Sequence, residues 1–207
     1  MPVFQAKQRC PRVIIVPGNR LKYAAESKKI MQVISGFSPL VEQVSIDEAY
    51  VDIKGCETLF GPPETMAQKI KTAIFKTVFL TCSIGIAPVK FLAKIASDMD
   101  KPNGITLISQ DKMASFIATL PIAKVPGVGH QAMKLMGILK ITCLGDIGKH
   151  DPEMLKKKLG KLGTRLYELS QGIDLSPVEN NTTRKSISSE TTLDQDISDI
   201  DSARQVL

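Results

Sequence analysis

The sequence predicts a mixed helix–sheet region, α/β or α+β, up to about residue 108, followed by helices alone. Three observations carry that division. Runs with helical spacing alternate with short β-branched runs as far as Ile108. Strand-like runs stop after residue 110. Beyond that point Gly and Pro break residues 111–172 into short helical pieces.

Val13-Ile14-Ile15-Val16 reads as a short buried strand ended by Pro17-Gly18. Tyr23, Ser27, Ile30 and Ile34 recur at helical spacing and predict a helix from about Arg20 to Ser35. Residues 41–53, VEQVSIDEAYVDI, read as a strand, a turn or bend, and a second strand. Met66, Ile70, Ala73, Ile74 and Val78 predict a helix over 64–79. In 81–87 Cys82, Ile84 and Ile86 share one face of a strand. Phe91, Leu92, Ile95 and Met99 predict a helix over 88–99, with Pro88 in its first turn. Lys101 to Gly104 form a turn, and 105–108 another strand. Residues 173–185, rich in polar side chains and carrying Pro177, read as a linker.

An apolar fraction of 43% is enough to bury a core. No apolar run approaches the roughly 18 residues of a membrane span, and no secretory signal opens the sequence. With no Trp and 5% aromatic residues, a single-strand binder built on base stacking is disfavoured. Cys10, Cys56, Cys82 and Cys143 are scattered, and neither His130 nor His150 adjoins one. That argues against a zinc site and for a reduced, cytoplasmic protein. The net charge is +6. Residues 121–170 hold nine basic and four acidic side chains, which suits a polyanion partner or a solvated lysine-rich surface.

Two constellations carry chemistry. Asp47 and Glu48 adjoin each other among apolar residues. Two carboxylates about 4 Å apart at an effective dielectric of 20 repel by about 4 kcal/mol, so a cation, a lysine or a shared proton must compensate. Mg²⁺ suits one or two carboxylates plus substrate phosphates. On a regular strand, however, neighbours point to opposite faces, so a common site needs a strand end, bulge or hairpin bend. Two solvated acids at a hairpin tip are the alternative. Asp52 is either a third acid or an edge residue. The second constellation is Pro126-Gly127-Val128-Gly129 ahead of a helix from Gln131 to about Gly137. Small residues at a helix N-terminus let a phosphate approach the amides, as in a helix-hairpin-helix, with Lys124, Lys134 and Lys140 nearby. An ordinary tight turn is the alternative.

Four stretches in this order resemble the Y-family, or translesion, DNA polymerases, above all their bacterial DNA polymerase IV branch. They are SIDEAYVDI at 45–53, CSIGIAPVKFLAKIASDMDKPNGI at 82–105, LPIAKVPGVG at 120–129 and RKSI at 184–187. MPVFQAKQRCP at 1–11 is similar to the family's fingers. The resemblance implies an α+β fold. Residues 1–19 would be a remnant of the fingers, 20–108 a palm with a ferredoxin-like mixed sheet whose first strand is missing, and 109–175 a helical thumb with a helix-hairpin-helix. Residues 176–207 would be a linker and the start of the little finger.

It also implies template-directed DNA polymerisation by two-metal phosphoryl transfer, with two Mg²⁺ ions, during damage bypass or repair. Asp47 and Glu48 would be the metal-binding catalytic carboxylates, and Lys101 would contact the incoming triphosphate. Gly127, Val128, Gly129, Lys134, Arg184 and Lys185 would face DNA. Primer–template DNA and deoxynucleoside triphosphates are the implied partners, with a sliding clamp for full-length members and no membrane. Family members begin with a strand bearing another metal-binding Asp, then an aromatic steric gate, then a Tyr and an Arg for the triphosphate; these are expected to be missing here. Thr191 stands where a basic residue is usual. A chain incomplete at both ends, inactive alone, is therefore expected. The alternatives are a non-catalytic, sequence-independent DNA-binding fragment, or half of a split polymerase.

Overall fold

The computed structural model describes residues 1–180, 186–188, 190, 193 and 197–206. Helix α1 (Val3–Arg9) and helix α2 (Arg20–Ser35) open the chain. The Asn19 side chain starts α2 by accepting the Lys22 amide at 2.9 Å. Strands β1 (Val41–Gln43) and β2 (Ala49–Val51) form an antiparallel hairpin with Val41 opposite Val51 and Gln43 opposite Ala49. Helices α3 (Glu57–Phe60) and α4 (Pro63–Val78) follow, with Pro63 at the first position of α4, where it loses no hydrogen bond. Strand β3 (Ile84–Ile86), helix α5 (Lys90–Met99) and strand β4 (Ile105–Leu107) make a parallel β–α–β unit.

The helical half comprises α6 (Gln110–Thr119), α7 (His130–Ile138), α8 (Leu144–Ile147), α9 (Pro152–Leu159) and α10 (Lys161–Ser170), and a last helix, α11, spans Ile200–Val206. A 3₁₀ turn at Ile122–Lys124 precedes α7.

Two expectations need correction, and a third is met in part. Residues 13–16 form no strand and are exposed, Ile14 at 86%, because nothing among the described residues offers them a ladder. Pro88 lies outside α5, since the extended Val89 is the residue that precedes its first turn. The ferredoxin-like mixed sheet, expected without its first strand, stands as two two-stranded sheets, antiparallel β1–β2 and parallel β3–β4. Strands β2 and β3 each pair on one side only, so no ladder crosses between them.

Two apolar clusters hold the molecule. One packs Ile34 of α2 against Met66, Ile70 and Ile74 of α4 and against Cys56. The other begins at Phe91, Leu92, Ile95 and Ala96 of α5 and runs through the helical half to Leu166 and Leu169 of α10. Leu92, Leu144, Leu155 and Leu166 have no exposed surface, and burying each contributes about 1.5–3 kcal/mol. Helix α5 thus belongs to the sheet region by sequence and to the helical core by packing. Gly85 lets it come close: a Cβ there would lie 2.0 Å from the Ala93 carbonyl oxygen.

The segment 174–180 then returns across the front of the molecule. The Asp174 carboxylate accepts the Phe91 amide at 3.0 Å and Arg165 Nη2 at 2.6 Å. Lys90 Nζ donates to the Pro177 carbonyl at 2.8 Å. The Glu179 amide donates to Glu42 Oε2 at 2.9 Å, and Asn180 Oδ1 accepts the Val41 amide at 2.6 Å.

Candidate active site

Asp47 and Glu48 sit in the bend between β1 and β2, not on a regular strand. Ser45 organises that bend. Its hydroxyl accepts the amides of Asp47 at 3.2 Å and Glu48 at 3.1 Å, and donates to Asp47 Oδ1 at 2.6 Å. The amides of Val44 and Ser45 both reach the Glu48 carbonyl, at 2.9 and 3.2 Å. Non-strand backbone at this point removes the alternation that would send adjacent side chains to opposite faces. Asp47 is exposed and Glu48 half-buried.

Helix α5 faces the bend with alternating charge. Lys94 Nζ is ion-paired with Glu48 Oε1 and lies 3.6 Å from Asp98 Oδ2. Lys101, just past the helix end, pairs with Asp98 Oδ1 at 2.5 Å. Hydrogen bonding to Glu48 raises the Lys94 pKa above the ordinary lysine value. The Lys101 ammonium beside Asp98, with help from Lys94, holds that carboxyl below the usual range. A second cation, Lys90, pairs with Glu42 at 2.6 Å and lies 4.8 Å from the Tyr50 ring centre. Burial alone would raise the Glu42 pKa, but Lys90 and the Glu179 amide outweigh it and the net shift is downward.

Beside them lies a cleft of about 360 Å³, lined by β2 on one side and β3 on the other. Asp47, Glu48, Lys94 and Lys101 all line it. Its other walls are apolar, from α2, α4 and β3, among them Met31, Met66, Ile70 and Ile84. A concave, mostly apolar site with a few convergent polar groups is the usual form of a ligand pocket.

Among the described residues no three His, Cys, Asp or Glu side chains are grouped to hold a metal. The candidate donors are the carboxylates of Asp47 and Glu48, which both line the cleft. Asp47 spends one oxygen on Ser45 and Glu48 one on Lys94, which leaves each a second oxygen for a ligand. Two carboxylates at a solvent-facing bend fit a hard cation that completes its shell with water and phosphate oxygens. Asp52 is no third acid here: its Oδ1 accepts the Lys54 amide at 2.9 Å, and it does not line the cleft.

The glycine hairpin lies in the helical half. Gly127 has φ +90°, which an L side chain rarely adopts, and Gly129 precedes the first turn of α7 with no side-chain cap. A Cβ at Gly129 would meet nothing within 4 Å, so the backbone there is open to approach. Val128 is half-buried, whereas Lys124, Lys134 and Lys140 are exposed. Arg184, Lys185 and Thr191 lie outside the described residues.

A family model described as the impB/mucB/samB family matches residues 1–98. Over 207 residues the chain is 43% identical to DNA polymerase IV of Actinobacillus pleuropneumoniae serotype 3 (strain JL03), a match covering 100% of this chain. The fold is similar to a solved "Y-family DNA polymerase chimera Dbh-Dpo4(243-245)-Dbh", with a TM-score of 0.81 and 35% identity over 88% of this chain and 54% of that one. In sequence and in fold the chain is thus similar to Y-family DNA polymerases. A second solved neighbour, "Insertion ternary complex of Dbh DNA polymerase", gives a TM-score of 0.80 at 35% identity, over 87% of this chain and 53% of that one. The chain spans 58% of the length of the curated polymerase IV relative. Its architecture is mixed α+β. No helix among the described residues is long and apolar enough to cross a membrane.

Asp47, Glu48 and Lys101 come together at one cleft. Lys101 touches neither carboxylate directly and is linked to Glu48 through Asp98 and Lys94. Sequence reasoning missed Ser45, Lys94 and Asp98. The clue for the last two was spacing: Lys94 and Asp98 are four apart on a helix and must share a face.

Proposed function

We propose that this chain carries the catalytic carboxylates of a translesion-type, template-directed DNA polymerase that adds deoxynucleotides to a primer 3′-hydroxyl. The observation that carries the reading is the convergence of Asp47, Glu48 and Lys101 on one cleft. Asp47 and Glu48 would hold divalent metal, Mg²⁺ by preference for oxygen donors and phosphates. When bound, such ions lower the pKa of the attacking hydroxyl and neutralise charge on the phosphates. Glu48 orients the hydroxyl side of the site. Lys101, 58% exposed, reaches a triphosphate and offsets charge building on it. Gly127, Val128 and Gly129 would pass a DNA phosphate close to the backbone, and Lys134 would add a charge contact. Primer–template DNA and deoxynucleoside triphosphates are the partners this reading requires, and the reduced cysteines suit a cytoplasmic setting.

A second reading, half of a split polymerase, is favoured by the gap between β2 and β3, whose facing edges have no pairing partner in either sheet. An added strand there would complete a ladder and bring its own side chains beside Asp47. One experiment tests both. Mg²⁺-dependent primer extension is measured for the chain alone and with the family's opening strand supplied as a peptide. Extension is expected in at least one arm, lost in Asp47→Ala or Glu48→Ala while duplex DNA binding persists. No extension in either arm, or extension indifferent to both substitutions, overturns the proposal.

A further inference from the structure

Four side chains form a chain of ion pairs alternating in sign, Glu48, Lys94, Asp98 and Lys101, of which Glu48, Lys94 and Lys101 line the cleft. Lys94 serves both acids, paired with Glu48 and 3.6 Å from Asp98. Asp98 serves both lysines, one oxygen toward each. Two of the groups that the proposed function assigns to ligands are therefore already engaged, Glu48 through one oxygen by an ammonium and Lys101 by a carboxylate.

Those occupations are linked. A divalent cation on Glu48 repels the Lys94 ammonium, whose other partner is Asp98. An Asp98 that takes Lys94 fully has its charge matched and holds Lys101 less. Lys101 is then free for phosphate. The pairs suit exchange, because the side chains are 28% (Lys94), 43% (Glu48), 46% (Asp98) and 58% (Lys101) exposed, and ion pairs that exposed are individually weak.

We propose that Lys94 and Asp98 form a charge relay that couples cation binding at Glu48 to release of Lys101 for an anionic, phosphate-bearing ligand. This rests on the reading of Asp47 and Glu48 as a metal site. Lys94 and Asp98 are positioning residues in it: neither is required to touch the reacting atoms. The coupling is reciprocal by linkage, so phosphate on Lys101 also favours the cation at Glu48.

The test uses the 207-residue chain and Mn²⁺ alone, with bound and free ion separated by electron paramagnetic resonance. Asp98→Asn leaves Lys94 with Glu48 as its sole acid, so Mn²⁺ binding is expected to weaken by about fivefold. Lys94→Met is expected to tighten it. In the Lys94→Met background, Asp98→Asn is expected to change nothing, and Lys94→Arg is expected to restore the dependence on Asp98. An equal effect of Asp98→Asn with and without Lys94 means plain through-space charge and overturns the relay, leaving the metal site standing. Mn²⁺ binding that Asp47→Ala and Glu48→Ala leave unchanged overturns the metal reading beneath it. Circular dichroism of each variant, all at partly exposed positions, verifies that the fold is kept.

Discussion

Removing the Asp174 carboxylate tests the architecture behind the cleft. The side chain is 1% exposed and accepts from the Phe91 amide at 3.0 Å, Arg165 Nη2 at 2.6 Å and the Ser176 amide at 3.2 Å. Phe91 lies in the first turn of α5, and Val89 offers that helix no side-chain cap. Asp174 therefore caps α5 from 83 residues away. A lost cap costs about 1 kcal/mol. Losing negative charge at a helix N-terminus adds about 0.3–1 kcal/mol. The Arg165 pair, with Arg165 37% exposed, adds no more than about 1 kcal/mol. Asp174→Ala should then cost about 2–3 kcal/mol and Asp174→Asn about half of that, since the amide oxygen still accepts. Urea unfolding measures this as a lower midpoint at unchanged slope. Burial alone would raise the Asp174 pKa, but Arg165, Ser176 and the Phe91 amide outweigh it and the net shift is down. A depressed folded pKa means the stabilisation is present above the unfolded carboxylate value of about 3.9 and is lost as pH falls through the folded one. The gap between parent and variant should therefore hold at neutral pH and shrink in acid. A neutral-pH cost under about 0.5 kcal/mol, or a gap indifferent to acid, refutes the reasoning.

Gly85→Ala places a Cβ 2.0 Å from the Ala93 carbonyl oxygen and 2.3 Å from the Ser97 amide, so β3 and α5 must part. A cost of about 3 kcal/mol and a Tm drop of roughly 6–12 °C by calorimetry are expected, and an unchanged Tm would contradict the close packing. Gly127→Val forces a branched side chain to φ +90° in the hairpin. Duplex affinity should fall and the salt dependence flatten by about one phosphate contact, read by fluorescence anisotropy across ionic strengths; parallel salt slopes would remove the hairpin from the interface. Asp146 is held far below the usual carboxylate range by Lys149 first, then by the Thr142 and Cys143 amides. Asp146→Ala should cost about 1 kcal/mol at neutral pH, and less below about pH 4, by the same urea assay.

The helices were legible because burial on one face repeats at their own period. The predicted Arg20–Ser35 and 64–79 segments appear as Arg20–Ser35 and Pro63–Val78. The strands were legible in place but not in extent: 81–87 contracts to Ile84–Ile86. A strand's length is set by its neighbour, and β3 has β4 on one side and the cleft on the other. For the same reason Val13–Val16 failed as a strand. β-Branched residues describe a chain that can enter a ladder, not one that has been offered a partner.

The site divides along similar lines. The adjacency of Asp47 and Glu48 was readable, and so was the need for a bend. The cation that pairs with Glu48 was not, because Lys94 is 46 residues from Glu48 and only the packing of α5 brings it there. That packing depends on the far end of the chain. Asp174 caps α5, Lys90 of α5 donates to Pro177, and Glu179 and Asn180 bind Glu42 and the Val41 amide of β1. One segment thus grips both elements that carry the cleft charges, the hairpin with Glu48 and the helix with Lys94 and Asp98. The relative placement of Glu48 and Lys94 is then a property of residues 174–180 as much as of the motif itself. Polarity in that stretch reads as linker composition because carboxylates and amides suit solvent and specific pairing equally well. Only the buried state of Asp174 distinguishes the two, and burial is a tertiary fact.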